Sequence, residues 1–173
     1  HTQNMQTFEG WLRYWNNVVI VSQCHSKEIR ISQHKGIYGV LLPVITNKYL
    51  NVAYFTFLGL FKIKQLNAKY DFDIYQASDA GGAILALIAS KIYGKKFVFE
   101  VQGDIFDYPS HVGGKVHSSL VKFFSEMIVK KADYIRIVSP FLYEPLDRFG
   151  INREKIFLVP PRCDSTLFSE KNV

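Results

Sequence analysis

The stretch Phe97–Pro109 reads FVFEVQGDIFDYP, and its reading decides the fold. Strand-forming residues from Phe97 to Val101 run directly into Gln102-Gly103-Asp104 and then into an aromatic loop. Aromatic and β-branched residues favour a buried, pleated strand. An amide, a glycine and a carboxylate at its tip favour a turn that holds polar groups. Polar groups at the end of an apolar strand mark a binding rim, so the flanking segments have to show what kind of sheet carries it.

Those segments alternate. Thr7–Trp15 has helical spacing, Val18–Val21 reads as a short buried strand, and Tyr38–Val44 as a second strand whose exit is marked by Pro43. Asn51–Leu66 reads as a long helix and Asp71–Gln76 as strand. Ser78-Asp79-Ala80-Gly81-Gly82 then opens a helix over Ala83–Tyr93, with Ser78 or Asp79 as N-cap and Gly94 in the C′ position. After the strand Lys96–Val101 comes a helix over Val116–Lys131, whose two terminal lysines suit the negative end of its dipole. Tyr134–Val138 reads as strand, Pro140–Phe149 as helix stopped by Gly150, and Ile156–Val159 as the last strand.

Strands separated by helices predict an α/β fold: a Rossmann-like parallel sheet with helices on both faces, over one domain spanning 1–173. Runs such as VVIV and IFLV, with little alternation, fit strands covered on both sides. In such sheets ligands collect beyond the carboxyl ends of the strands. Ser78–Gly82, Gln102–Asp104, Ser139 and Pro160–Asp164 all follow strands, which gathers them on one rim.

Composition narrows the classes. The net charge of +6 favours an anionic partner such as a sugar nucleotide or a phospholipid surface. The basic residues are scattered and no nucleic-acid-binding signature occurs, so nucleic acid is not an expected partner. Cys24 and Cys163 form neither a disulfide framework nor a metal-ligand pattern, which suits a reducing, cytoplasmic setting. The five histidines show no triad or metal spacing, and no metal is expected. No apolar run of ~18 residues predicts a spanning helix. The chain begins at His1 instead of Met and reads as a piece of a longer protein.

Three runs carry a family resemblance: DFDIYQASDAGGAILALIASKIYGKKFVFEVQGD, KKADYIRIVSPFLYEPLDRFG and KIFLVPPRCDSTLF. Together, Tyr70 to Phe168 resembles the amino-terminal domain of group-one retaining glycosyltransferases, which have the two-domain GT-B architecture. The first 69 residues match more loosely. Two departures stand out: Gln102 occupies a position where many members have histidine, and Pro161-Arg162-Cys163 replaces the usual Asn-Gly-Val before Asp164. The family's first strand and glycine-rich loop have no counterpart before Thr7, and its donor-binding domain would follow Val173.

The resemblance implies transfer of a sugar from a nucleotide-sugar donor to an acceptor hydroxyl, on a lipid-linked or polysaccharide acceptor, with the donor held by the other domain and no bound cofactor here. Gln102 and Asp104 are the leading candidates for contact with acceptor or sugar. The plainer reading of that turn is a Gly103 with positive φ and an Asp104 bonded to local backbone. Ser78, Asp79, Gly81 and Gly82 are candidate cleft lining, or else a helix cap. Ser139 is a candidate contact, or a cap before a first-turn proline. Arg162 and Asp164 are candidates for a phosphate contact and a linker brace, or a local ion pair. His111 and His25 follow strands and are weaker candidates.

Residues 48–64 admit two readings. Val52–Phe61 (VAYFTFLGLF), with Lys62 and Lys64 after it, is a core helix packed on the sheet or a peripheral helix laid against a membrane. Two other functions stay open: a stand-alone, non-catalytic module binding an anionic ligand or membrane surface, and a nucleotide-sugar epimerase of the same architecture.

Overall fold

The computed structural model describes residues 12–103 and 114–160. In chain order the elements are β1 (Val18–Cys24), β2 (Arg30–His34), β3 (Ile37–Pro43), α1 (Lys48–Tyr70), β4 (Ile74–Ala77), α2 (Ala80–Tyr93), β5 (Lys96–Val101), α3 (Gly114–Lys131), β6 (Tyr134–Ile137), α4 (Tyr143–Arg148) and β7 (Ile156–Leu158). Short 3-10 turns at Pro140–Leu142 and Arg153–Lys155 precede α4 and β7. The strands form a three-stranded sheet in the order β1-β3-β2 and a four-stranded sheet in the order β4-β5-β6-β7. The described residues group into two compact units, one of residues 12–75 and 81–95, the other of 76–80, 96–103 and 114–160.

In the first unit β1 and β3 pair in parallel, with Val18 opposite Ile37 and Cys24 opposite Pro43. β2 returns antiparallel against β3. The sequence pattern gave no strand at Arg30–His34, because all five residues are exposed and no apolar alternation marks them. The hairpin is set by its turn: Lys35 and Gly36 both have positive φ (45° and 86°), the geometry that matches the twist of paired strands.

Helix α1 runs further than its apolar stretch. Asn47 starts it, accepting from the Leu50 amide at 3.2 Å through its side-chain oxygen. At the other end, Asn67 Oδ1 accepts from the Phe72 amide (3.2 Å) and the Tyr75 hydroxyl (2.8 Å), which ties helix exit to β4. Phe55, Gly59 and Ile63 form its buried face. At Gly59 a Cβ would stand 2.5 Å from a Leu85 methyl, so a side chain there would require Leu85 to move. Tyr38, Tyr70, Phe72, Tyr75 and Tyr93 form a chain of ring contacts at 6.0–6.3 Å. Gly94 (φ 65°) closes α2, with the Lys95 amide donating to Ser90 O at 2.9 Å, as expected of a C′ glycine.

In the second unit β5, β6 and β7 are parallel, and helices flank the sheet. Ala77, Phe97, Phe99, Val101, Ile135, Ile137 and Ile156 are buried apolar residues of this sheet, and α3 contributes buried Ile128 and Val129. The Asp133 carboxylate pins the start of β5, accepting from the Phe97 amide and from Lys96 Nζ, each at 3.0 Å. The Asp133 amide donates back to Phe97 O at 3.0 Å. The expected helix over Pro140–Phe149 is a 3-10 turn followed by α4, and Gly150 (φ 68°) ends it as read from the sequence. Of the expected helix Thr7–Trp15, residues 12–14 form a turn and 7–11 lie outside the described residues.

Candidate functional site

Because β5, β6 and β7 are parallel, the residues after Val101, Ile137 and Leu158 lie at one edge of the sheet. Gln102 and Gly103 are exposed there, and Ser139 follows β6 at the same edge. Ser78 and Asp79 follow β4, the strand that neighbours β5. Gly81 and Gly82 lie in the first turn of α2 and belong to the other unit. Asp104, His111, Arg162 and Asp164 lie outside the described residues.

A polar row backs this edge. Strand alternation puts Glu100 on the face opposite Phe99 and Val101, and pairs it in register with Arg136. Glu100 is only 8% exposed, and a buried carboxylate is tolerated only when its oxygens are bonded. They are: Oε2 accepts from Arg136 Nη1 at 2.8 Å and Gln76 Nε2 at 3.0 Å, while Oε1 accepts from Gln102 Nε2 at 2.9 Å. Arg136 Nη2 reaches Val159 O at 3.5 Å, and its buried Nε has no hydrogen-bond partner among the described residues.

This arrangement fixes Gln102 chemically. Only an amide N–H can face a carboxylate, so Glu100 turns the Gln102 nitrogen inward and its Oε1 away. The exposed end of Gln102 is therefore an acceptor, suited to a hydroxyl or ammonium donor. The pattern FVFEV hinted at Glu100, since an acid in a buried strand needs a partner; the partner's identity, 36 residues away, is not local information.

The other sequence candidates take simpler roles where they are described. Gly103 does not adopt the positive φ expected of it, and a Cβ there would meet nothing within 4 Å. Ser139 caps the 3-10 turn, its Oγ accepting from the Phe141 amide at 3.4 Å, with Pro140 in the first turn. His25 is exposed after β1. A shallow depression of about 340 Å³ lined by Lys96, Asp133, Tyr134, Asn152, Glu154 and Lys155 lies at the opposite, amino-terminal end of β5 and β6. Its Lys96–Asp133 pair is structural, so it is not the candidate site. Among the described residues no group of three or more His, Cys, Asp or Glu could hold a metal ion.

This is the fold of a GT-B glycosyltransferase domain. The chain shares its fold with sucrose-phosphate synthase from Thermosynechococcus elongatus (TM-score 0.73, 12% identity, covering 95% of this chain and 44% of that one). A glycosyltransferase from Rickettsia africae matches less fully (TM-score 0.51, 19% identity, 77% of this chain and 33% of that one). The chain thus spans less than half the length of these solved structures. No curated protein matches it. The model of Glycosyltransferase Family 4 matches residues 5–166, and the chain belongs to that family.

Proposed function

We propose that this chain is the acceptor-side domain of a retaining glycosyltransferase, which moves a sugar from a nucleotide diphosphate to an acceptor hydroxyl. The observation that carries the reading is the Gln102 carbonyl oxygen, held outward at the strand edge by buried Glu100. In the reaction the acceptor oxygen bonds to the anomeric carbon on the face from which the diphosphate oxygen departs. The acceptor proton passes to that departing diphosphate. Gln102, with Asp104 beside it in sequence, aims the acceptor hydroxyl; this is a positioning contribution, not acid–base work. Ser78, Asp79 and Ser139 complete the lining, Arg162 reaches a phosphate of the donor, and Asp164 braces the linker. The donor nucleotide sits on a second domain, and the acceptor is a glycan or a lipid-linked sugar. No metal or further cofactor is invoked.

The test is donor turnover by the full-length gene product with a panel of nucleotide sugars and hydroxyl acceptors. Gln102→Ala is expected to lower kcat/KM by roughly 10- to 100-fold, the range for a lost orienting contact. Unchanged transfer in Gln102→Ala and Asp104→Ala would sink the site assignment. Donor conversion independent of any acceptor would favour an epimerase.

A further inference from the structure

We propose that the depression at the amino-terminal end of β5 and β6 is a carbohydrate-binding site distinct from the rim, and that it holds an uncharged sugar ring of a glycan. This inference does not depend on transfer chemistry at Gln102. Lys96 opens β5 and lines the depression, while Gln102 lies beyond the other end of that strand, roughly 20 Å away at the rise of an extended chain. The volume of about 340 Å³ falls at the small end of ligand sites, which begin near ~300 Å³. Tyr134, the first residue of β6, is 40% exposed in the lining, and Phe157 of β7 is 50% exposed beside it. Strand alternation puts both rings on the sheet face opposite buried Ile135, Ile137 and Ile156, so neither ring fills that core. Their centroids lie 5.6 Å apart with the planes inclined by 61°, an edge-to-face contact that braces the Tyr134 ring.

Charge narrows the ligand. Lys96 and Lys155 line the depression together with Asp133 and Glu154, so its formal charges cancel. A phosphate, a nucleotide or an acidic sugar therefore meets no net field there, although the whole chain carries +6. Local contacts hold the polar groups in place: Lys96 Nζ donates to Asp133 Oδ1 at 3.0 Å, and Asn152 Nδ2 donates to Glu154 Oε2 at 3.2 Å. A carboxylate accepts, and a lysine ammonium donates, more than one hydrogen bond, so Glu154 and Lys96 keep capacity beyond these contacts. Donors and acceptors fixed side by side match neighbouring hydroxyls of a sugar. The C–H face of the same sugar ring packs on an aromatic side chain such as Tyr134. A lipid chain offers no such hydroxyl edge, and an acidic peptide gains nothing from balanced charge.

The experiment is binding of the full-length gene product to an array of neutral glycans, with inorganic phosphate as competitor. The wild type is expected to bind a neutral glycan, and phosphate to leave that binding unchanged. Hydroxyl-radical footprinting of the wild type with the bound glycan is expected to protect Tyr134 and Phe157. Tyr134→Ala, its fold checked by circular dichroism, is expected to bind about tenfold more weakly, and Tyr134→Trp to retain the binding. Gln102→Ala is expected to leave the protection of Tyr134 intact, whether or not the rim transfers sugar. No binding to any neutral glycan, or binding without protection of Tyr134, overturns the proposal. Displacement by phosphate also overturns it, assigning the depression to an anion. Binding lost in Gln102→Ala and unchanged in Tyr134→Ala overturns it too, since the glycan then sits on the rim.

Discussion

Gln102 donates its side-chain amide to Glu100 at 2.9 Å, two residues back along the same chain. One end of the contact is exposed and the other nearly closed off from water, so a surface group is oriented by a buried charge. The orientation depends on Arg136 and Gln76, which hold the other carboxylate oxygen.

Removing one charge of this pair is expected to cost more than removing both. Glu100→Leu leaves the partly buried Arg136 guanidinium without its carboxylate, a loss of about 2–3 kcal/mol. Glu100→Leu/Arg136→Leu restores an apolar surface and is expected to recover at least half of that. Urea unfolding of the two single variants and the double variant measures the coupling; additive losses would show that the pair is not linked.

Gly59 faces Leu85 at a distance where a methyl group would require Leu85 to move. Gly59→Ala gains helix propensity but pushes Leu85 out of place, with a net loss of about 1–2 kcal/mol. Gly59→Ala/Leu85→Ala is expected to lose less than Leu85→Ala alone, since the new methyl fills part of the space. Thermal unfolding reads the difference.

Asp133 joins the loop after α3 to the first residues of β5. Asp133→Ala strands the Phe97 amide and is expected to cost about 1–2 kcal/mol. Hydrogen exchange should quicken first at Phe97, and an unchanged Phe97 amide would refute the pinning role.

Two groups give opposite pH signatures. The Arg153 guanidinium, bonded to Asp147, holds that carboxyl below the usual range. A depressed carboxyl contributes stability above its unfolded value of about 3.9, lost as pH falls through the folded one. In Arg153→Ala the Asp147 carboxyl midpoint is expected to rise, read by NMR titration. Burial, reinforced by Tyr93 and Asp71, pushes the Tyr75 phenol above its ordinary value. Its contribution is complete below an unfolded value of about 10 and lost as pH rises through the folded one. Tyr75→Phe is expected to weaken the fold by about 1 kcal/mol at neutral pH and to flatten its alkaline decline.

The parallel strands were legible in FVFEV, YIRIV and IFLV because burial filters strands for apolar, β-branched and aromatic residues. The glycine stops at Gly94 and Gly150 were legible because few other residues tolerate their φ. β2 was not, since an exposed edge strand imposes no apolar pattern; the Lys35-Gly36 turn was its one signal. α1 outran its apolar stretch because Asn67 side-chain bonds, not hydrophobic periodicity, set where it ends. At the rim the sequence supplied Gln102, but its orientation comes from a partner strand. No local pattern says that Glu100 will lie opposite Arg136.

The polar row Gln76, Glu100 and Arg136, one residue per strand on β4, β5 and β6, also constrains assembly of the sheet. Sliding β6 by one position along β5 would swing Arg136 to the apolar side and expose Ile135 and Ile137 in its place. The row therefore works as an alignment mark. It makes the one-residue slip, the easiest error for short parallel strands, the alignment that strands a charge among phenylalanines.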